Sequence, residues 1–328
     1  MGEILKIYRS AYRNWPSVLL GLALRGRARA VTRDGRVVEG DDIILGAIAR
    51  LYASDLGDRA VRRFWQQWEL SREGNQEATA YVSKIFAAAA TLHVIKGKYG
   101  PRCCRLIEVS DDLSYAIAEI GKRRALLYEW YRIRFTDLDD YGILNVEGKL
   151  VLDIGAFVGD SAMLFALRGA RRVVAVEPSP WAFNVAMRNV KANGLSDTVE
   201  LINCAVMREE GKTLTLPSSE IGADFRVSVT KGGVPVPICT LDSLIERFGP
   251  FDVLKMDCEG CEYESIPYSR RIGEVKEVLI EYHEGYEVIV RKLLEAGFRM
   301  VRFSRPGERG KLHSRPVDLR QGYIYAVK

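Results

Sequence analysis

Residues 149–162 read KLVLDIGAFVGDSA, which is a short apolar run, a loop with two glycines and the start of a helix. Gly155 allows the chain to turn sharply after the run, and Gly159 allows the backbone to approach a ligand closely. The spacing is not the GxGxxG of a dinucleotide site, and no lysine follows as in a P-loop. Asp153 and Asp160 would repel a pyrophosphate, so the loop favours a cationic ligand.

The pattern after residue 149 predicts an α/β domain. Apolar runs alternate with helical stretches of roughly 10 to 15 residues, which is typical of a mostly parallel sheet covered on both faces. The last two apolar runs, 299–304 and 321–328, are separated by a loop instead of a helix. They therefore predict an antiparallel hairpin at one edge of the sheet. We place this domain at residues 141–328.

The pattern before that domain predicts a different kind of structure. Residues 1–140 contain several stretches with helical periodicity and no regular alternation of strand and helix. The dipeptide Asp34-Gly35 lies between runs that alternate apolar and polar residues, and this dipeptide is preferred in tight hairpin turns. We therefore predict a largely helical N-terminal extension with a β-hairpin near residues 28–39.

An acidic residue follows the second predicted strand of the α/β domain. Glu177 lies 22 residues beyond Gly155, where an acid in this kind of fold binds the hydroxyls of a ribose. S-adenosylmethionine satisfies both requirements, because its ribose suits Glu177 and its amino group and sulfonium suit carboxylates near the glycine loop. The third strand ends where the adenine should lie. We predict that the following residues bind this cofactor: Asp153, Gly155, Phe157, Gly159, Asp160, Glu177, Pro178, Asn203, Cys204, Ala205 and Asp257.

Several of these segments together resemble a known family. VLDIGAFVGDSAMLFALRGARRVVAVEPSP, NVKANGL, CTLDSLI, VLKMDCEGCEYESI and LIEYH are similar to the FkbM-type, S-adenosylmethionine-dependent methyltransferases, over residues 143–328. The most specific element is the D-x-E-G-x-E pattern of Asp257, Glu259, Gly260 and Glu262. The resemblance implies a Rossmann-like class I methyltransferase fold with a seven-stranded sheet, and an enzyme that methylates hydroxyl groups of sugars, glycans or other small metabolites.

The stretch VLKMDCEGCEYE, residues 253–264, allows three interpretations. In the favoured one it is an acidic lip of the active site, where Asp257, Glu259 and His283 position or deprotonate the acceptor hydroxyl. In the second, magnesium or manganese is held by some of four residues, because oxygen-rich ligation suits these ions: Asp257, Glu259, Glu281 and His283. In the third, the cysteines of the stretch form a redox pair or a zinc site, but no other cysteines have fitting spacing.

The charge distribution leaves two other functions open. The net charge is +5, and arginines and lysines concentrate in residues 1–40 and beyond residue 291. Such basic ends are compatible with an RNA methyltransferase that contacts phosphates. Against this, the fourth strand lacks the Asn/Asp-Pro-Pro-aromatic tip that amino-directed nucleic-acid methyltransferases use. The other alternative is a non-catalytic module that only binds the cofactor.

Composition also bears on location. The apolar run at residues 18–24 is too short to span a bilayer and no secretory signal follows it, so we expect no transmembrane segment and a cytoplasmic protein. In that compartment the six cysteines are expected to be reduced. Many arginines with only three histidines are compatible with a thermophilic source. The sequence does not indicate an oligomeric state.

Overall fold

The computed structural model describes residues 2–54, 56–96, 100–219, 233–308 and 311–328. The chain divides into two compact units. The first consists of Met1–Gly100, Glu108–Ala116 and Trp130–Arg132, and the second consists of Pro101–Ile107, Ile117–Glu129 and Ile133–Lys328. The boundary predicted at residue 140 stays a prediction.

The first unit is mostly helical. Its helices are α1 (Gly2–Ala11), α2 (Trp15–Arg25), α3 (Asp42–Ala53), α4 (Gly57–Arg72) and α5 (Gln76–Lys96), and its hairpin strands are β1 (Ala28–Val31) and β2 (Val37–Gly40). The two strands are antiparallel, with Val31 opposite Val37. Asp41 begins α3, because its side chain accepts a hydrogen bond from the Ile44 N–H at 2.9 Å.

Helix α5 is the one described helix that is long and apolar enough to cross a membrane, judged by length and composition only. Its residues Ala78, Val82, Ile85, Ala89 and Leu92 are buried. They recur every three or four positions, which is the pattern of a helix with one face in a protein core. A core helix meets the same length and composition test, so α5 is weak evidence for a membrane span.

Three strands form a separate small sheet in the order β3-β4-β5, namely β3 (Cys104–Val109), β4 (Tyr115–Ile120) and β5 (Arg123–Tyr128). They are followed by the short helix α6 (Phe135–Asp140) in the second unit.

A seven-stranded sheet dominates the second unit. Its strands are β6 (Leu150–Ile154), β7 (Arg172–Val176), β8 (Val199–Ile202), β12 (Val253–Met256), β13 (Glu277–Tyr282), β14 (Met300–Ser304) and β15 (Gly322–Val327). Their order is β14-β15-β13-β12-β6-β7-β8. Strands β8, β7, β6, β12 and β13 pair in parallel, and β15 pairs antiparallel with both of its neighbours. This confirms the Rossmann-like fold that the sequence predicts.

The helices of this unit that lie between the strands are α7 (Asp160–Leu167), α8 (Pro180–Ala192), α9 (Leu241–Phe248), α10 (Cys261–Ser265) and α11 (Glu287–Glu295). The central strands β6, β12 and β13 are buried along their whole length, as expected for a parallel sheet with both faces covered. Ser179 caps the start of helix α8, because its hydroxyl accepts a hydrogen bond from the Ala182 N–H. Pro180 is the first residue of the helix.

The third predicted strand is interrupted. It leaves the large sheet at Asn203 and continues as β9 (Ala205–Val206), which joins β10 (Thr213–Leu216) and β11 (Val234–Cys239) in a second small sheet. The predicted terminal hairpin is present, but β15 lies between β13 and β14, so that β14 forms the edge.

The structure contradicts the expectation of reduced cysteines. All six form disulfides, in the pairs Cys103–Cys104, Cys204–Cys239 and Cys258–Cys261. Cys204 and Cys239 are 35 positions apart, and the parallel pairing of β9 with β11 brings their Cα atoms to 6.1 Å. Composition carries no information about that pairing. The cytoplasmic location and the thermophilic source stay predictions.

Candidate functional site

The glycine loop lies where two central strands end side by side. Gly155 has φ +78°, and a Cβ atom at this position would lie 1.7 Å from the backbone oxygen of Asp257. No other residue fits here, because both the left-handed backbone and the close approach exclude a side chain. The loop that follows β6 is thereby held against the acidic turn that follows β12.

A buried ion pair lies beneath this loop. Lys255 of β12 is directly opposite Asp153 of β6, and its Nζ is 3.1 Å from the Asp153 carboxylate. The same Nζ donates to the Gly155 carbonyl at 2.7 Å, and the Ser161 hydroxyl donates to Asp153 at 2.6 Å. Burial lowers the pKa of Lys255, but the negative charges of Asp153 and Asp257 raise it by more. The pKa of Lys255 therefore lies above its usual value.

Asp153 is fully buried and bonded to these two partners. We therefore expect Asp153 to act through Lys255 rather than to contact a ligand, unlike the direct contact that the sequence predicts. Asp160, at the start of α7, lies beside the same charges, and burial raises its pKa to about 6.

Glu177 follows β7 and faces the loop. One carboxylate oxygen accepts from the Phe157 N–H at 2.9 Å, and the other accepts from the Ser179 N–H at 2.8 Å. Burial raises the pKa of Glu177 to about 7 despite these two hydrogen bonds. The carboxylate is therefore fixed in one orientation and titrates near neutral pH.

A cavity of about 190 Å³ extends from this loop to the acidic turn. Its apolar walls include Ile154, Val176 and Met207, and three predicted cofactor residues also line it: Gly155, Pro178 and Ala205. At the other end the cavity is lined by Glu259 and neighbouring residues of the acidic turn. An apolar pocket with a few polar groups at its ends is the usual form of a small-molecule site.

Two residues that the sequence predicts to bind the cofactor form interactions within the protein instead. The amide nitrogen of Asn203 donates to the backbone carbonyls of Glu177 and Pro178, at 2.8 and 3.0 Å. Cys204 is buried and forms the disulfide with Cys239. Asn203 therefore holds the turn after β7 in place, and Cys204 has no free thiol that could contact a ligand.

Asp257 follows β12 and makes close contacts with two other side chains. The Tyr141 hydroxyl donates to its carboxylate at 2.6 Å. Burial raises the pKa of Asp257, but Lys255 and hydrogen bonds from Glu281 and Tyr141 lower it more, so the net pKa is below its usual value. Burial and the Asp257 charge raise the pKa of Glu281 to about 10. Glu281 is therefore the neutral partner, and Asp257 carries the negative charge.

His283 follows β13 and is held from one side. Its Nδ1 is 2.8 Å from a carboxylate oxygen of Glu262, whose other oxygen accepts from the Gly260 N–H at 2.8 Å. Its Nε2 is 3.4 Å from Glu259 and 3.9 Å from Glu281. Burial lowers the pKa of His283, and the hydrogen bond to Glu262 with the neighbouring acidic charges raises it more.

The fold brings together the three residues that the sequence predicts as catalytic. One ligand-type atom from each of Asp257, Glu259 and His283 lies within 4.8 Å of the other two. Glu281 and His283 share a side of the strand end, as their spacing of two predicts.

The site contains three further residues that were not predicted from the sequence: Tyr141, Lys255 and Asp137. Burial, followed by the charge of Asp257, raises the pKa of Asp137 to about 7. A signal for Lys255 exists, since a lysine inside an apolar central strand needs a buried partner. Tyr141 and Asp137 are distant in sequence from the rest of the site and carry no comparable signal.

Comparison with known proteins supports a methyltransferase. Residues 153–300 match the family model described as the methyltransferase FkbM domain. A stretch of 58 residues is 45% identical to protein arginine N-methyltransferase 6 of Danio rerio and covers 18% of this chain and 16% of that protein.

Two solved structures are similar to part of this chain. The methyltransferase FkbM of Methylobacillus flagellatus KT is 16% identical with a TM-score of 0.39, over 56% of this chain and 45% of that one. M. jannaschii TYW2, solved in complex with AdoMet, is 12% identical with a TM-score of 0.35, over 65% of this chain and 84% of that one. This chain thus spans less than half of the Methylobacillus and Danio proteins. Likeness at this level says nothing about its substrate.

Proposed function

We propose that this chain is an S-adenosylmethionine-dependent enzyme that methylates a hydroxyl group of a sugar, a glycan or another small metabolite. The proposal is supported by the match of residues 153–300 to the model of the methyltransferase FkbM domain. The proposal covers the cofactor, the type of acceptor atom and the residues that serve each of them.

The cavity beside the glycine loop suits this cofactor. The carboxylate of Glu177 accepts hydrogen bonds from two backbone N–H groups. Because a carboxylate has about four lone-pair sites, two of them remain for ribose hydroxyls. The apolar walls at Pro178 and Met207 suit a flat adenine ring. The absence of a side chain at Gly155 lets the glycine loop lie directly against the turn that contains Asp257. When bound, S-adenosylmethionine supplies an electrophilic methyl group.

The acidic turn suits the acceptor. Tyr141 donates to Asp257, and buried Lys255 supplies positive charge nearby, so both favour an ionised carboxylate at the end of β12. Such a carboxylate can orient a hydroxyl group and take the proton that its oxygen loses during methylation. Glu259 and His283 lie beside it and can bind further hydroxyls of the acceptor.

One observation carries the proposal above all. The turn that contains Asp257 touches the glycine loop at Gly155. The carboxylate proposed to bind the acceptor therefore lies beside the loop proposed to bind the cofactor. Methyl transfer requires the acceptor oxygen and the methyl carbon to be held close together in line.

The test begins with binding. Titration calorimetry of the full chain with S-adenosylmethionine should show one saturable site. Cofactor with a tritiated methyl group is then supplied with a panel of saccharides and, separately, with total RNA. We expect label in a saccharide or another small hydroxyl compound. A protein that binds no cofactor would contradict the cofactor assignment, and label found only in RNA would contradict the acceptor assignment.

A further inference from the structure

The acidic turn contains a buried histidine nitrogen with no hydrogen-bond partner. Among the residues that the structure describes, Nε2 of His283 makes no hydrogen bond, although its side chain is only 6% exposed. A buried polar atom of this kind needs an explanation, and a bound ion or water molecule is one of the explanations to test. Carboxylates of Glu259 and Glu281 are 3.4 and 3.9 Å away from this nitrogen.

The other ring nitrogen is fixed in the way that metal-binding histidines are fixed. Nδ1 lies 2.8 Å from Glu262, which is fully buried and is itself held by the Gly260 N–H. A carboxylate that accepts a hydrogen bond from Nδ1 fixes the orientation of the imidazole ring and favours the tautomer with its proton on Nδ1. Nε2 then presents its lone pair toward the acidic turn.

The distances fit a shared ion. The candidate ligand atoms of Asp257, Glu259 and His283 all lie within 4.8 Å of one another. Ligands about 2.0 to 2.2 Å from one ion lie at most about 4.4 Å apart, so small side-chain movements complete the geometry. From these observations we propose that Asp257, Glu259 and His283 bind one divalent cation beside the acceptor.

The donor set indicates which ions the site would take. Two carboxylate oxygens with one imidazole nitrogen suit manganese, because carboxylates favour magnesium, calcium and manganese and a nitrogen ligand disfavours the hardest of these ions. Three protein ligands leave further positions for water or for acceptor hydroxyls. This last consequence rests on the proposed function, whereas binding of the ion itself does not.

Binding is tested on the chelator-stripped full chain with Mn²⁺ alone, by titration calorimetry and by the electron paramagnetic resonance signal of the free ion. We expect one Mn²⁺ per chain, with affinity lowered at least tenfold in His283→Ala and in Glu259→Gln. His313→Ala is the matched control, because His313 also contacts a carboxylate, that of Glu308 at 2.9 Å, but is 42% exposed. The Mn²⁺ affinity of His313→Ala should equal that of the unaltered chain.

A second measurement guards against unfolded variants. Mn²⁺ should raise the melting temperature of the unaltered chain and of the His313 variant equally, and raise that of the two site variants less at the same Mn²⁺ concentration. No saturable Mn²⁺ binding, or equal binding in all variants, would overturn the proposal. Mn²⁺ binding by a chain that does not bind S-adenosylmethionine would support the ion site and contradict the proposed function, so the two failures are distinguishable.

Discussion

The cofactor side and the acceptor side of the site are built differently. On the cofactor side the charged groups have fixed partners, since Lys255 neutralises Asp153 and two backbone N–H groups hold Glu177. On the acceptor side, buried Nε2 of His283 and the buried hydroxyl of Tyr323 have no hydrogen-bond partner among the described residues. Oδ1 of Asp153 also lacks a hydrogen bond within the described part of the chain, but it lies 3.1 Å from the cationic Nζ of Lys255, whereas the charged groups beside Nε2 of His283 are the carboxylates of Glu259 and Glu281. Substitutions should therefore change stability and cofactor affinity on one side, and turnover on the other.

The largest effect that we expect is on turnover. Asp257→Asn should lower the rate about a hundredfold to ten-thousandfold, the usual range for a lost acid or base, while cofactor affinity stays within about tenfold. Initial rates with the acceptor found by labelling, together with calorimetry, measure both quantities. Asp197→Asn, on an exposed turn, is the control. Full turnover in Asp257→Asn would remove the distinction between the two sides.

The next effect concerns stability. Lys255→Met leaves the buried Asp153 without its cation and should cost about 3 to 5 kcal/mol of unfolding free energy. The pair Lys276–Asp252 provides the control, since Lys276 is 71% exposed and Asp252 is 22% exposed, and Lys276→Met should cost less than about 1 kcal/mol. Urea unfolding of both variants measures the difference. Equal costs would show that the cofactor side does not depend on its internal ion pair.

Cofactor affinity should depend on Glu177. Glu177→Ala removes the acceptor for the ribose hydroxyls, and we expect binding to weaken by about 1.5 to 3 kcal/mol, as for hydrogen bonds to a charged group. Calorimetry with S-adenosylmethionine measures this change, and a melting curve checks that the turn after β7 is still folded. If the affinity is unaltered, Glu177 lies outside the cofactor site.

The smallest effect is on the pH dependence of that affinity. The pKa of Glu177 is about 7 in the free protein, and ribose hydroxyls bond best to its ionised form. Binding should therefore strengthen as pH rises through 7, by about tenfold between pH 6 and pH 8, because the ionised fraction changes by that factor. In Glu177→Gln, which cannot ionise, this component should vanish. An unchanged pH profile in that variant would assign the effect to another group.

Predictability from sequence follows the same division. The glycine loop and Glu177 lie within one strand–helix–strand segment, where chain order alone determines proximity, so their placement could be predicted. The acidic turn and His283 could also be predicted, because both lie at the ends of parallel strands. Tyr141 could not, since its contact with Asp257 joins residues 116 positions apart and no periodicity indicates it.

The disulfide between Cys204 and Cys239 is missed for a related reason. It depends on the departure of the chain from the large sheet at Asn203, where a side-chain amide bonds to two carbonyls. The stretch TVELINCAV, residues 198–206, has the pattern of one strand and gives no sign of that departure. Local pattern predicts the strands, whereas contacts between distant side chains decide where a strand ends.

The position of β15 has a consequence for the order in which the molecule is assembled during synthesis. This strand follows the other six strands of the sheet in the chain, yet it lies inside the sheet, with Glu281 of β13 opposite Tyr323. Until Gly322–Val327 has emerged, β13 lacks one neighbour and β14 has none in the sheet. The nascent chain can therefore build its cofactor loop early, whereas Glu281 and His283 reach their final surroundings only after Gly322–Val327 has been made.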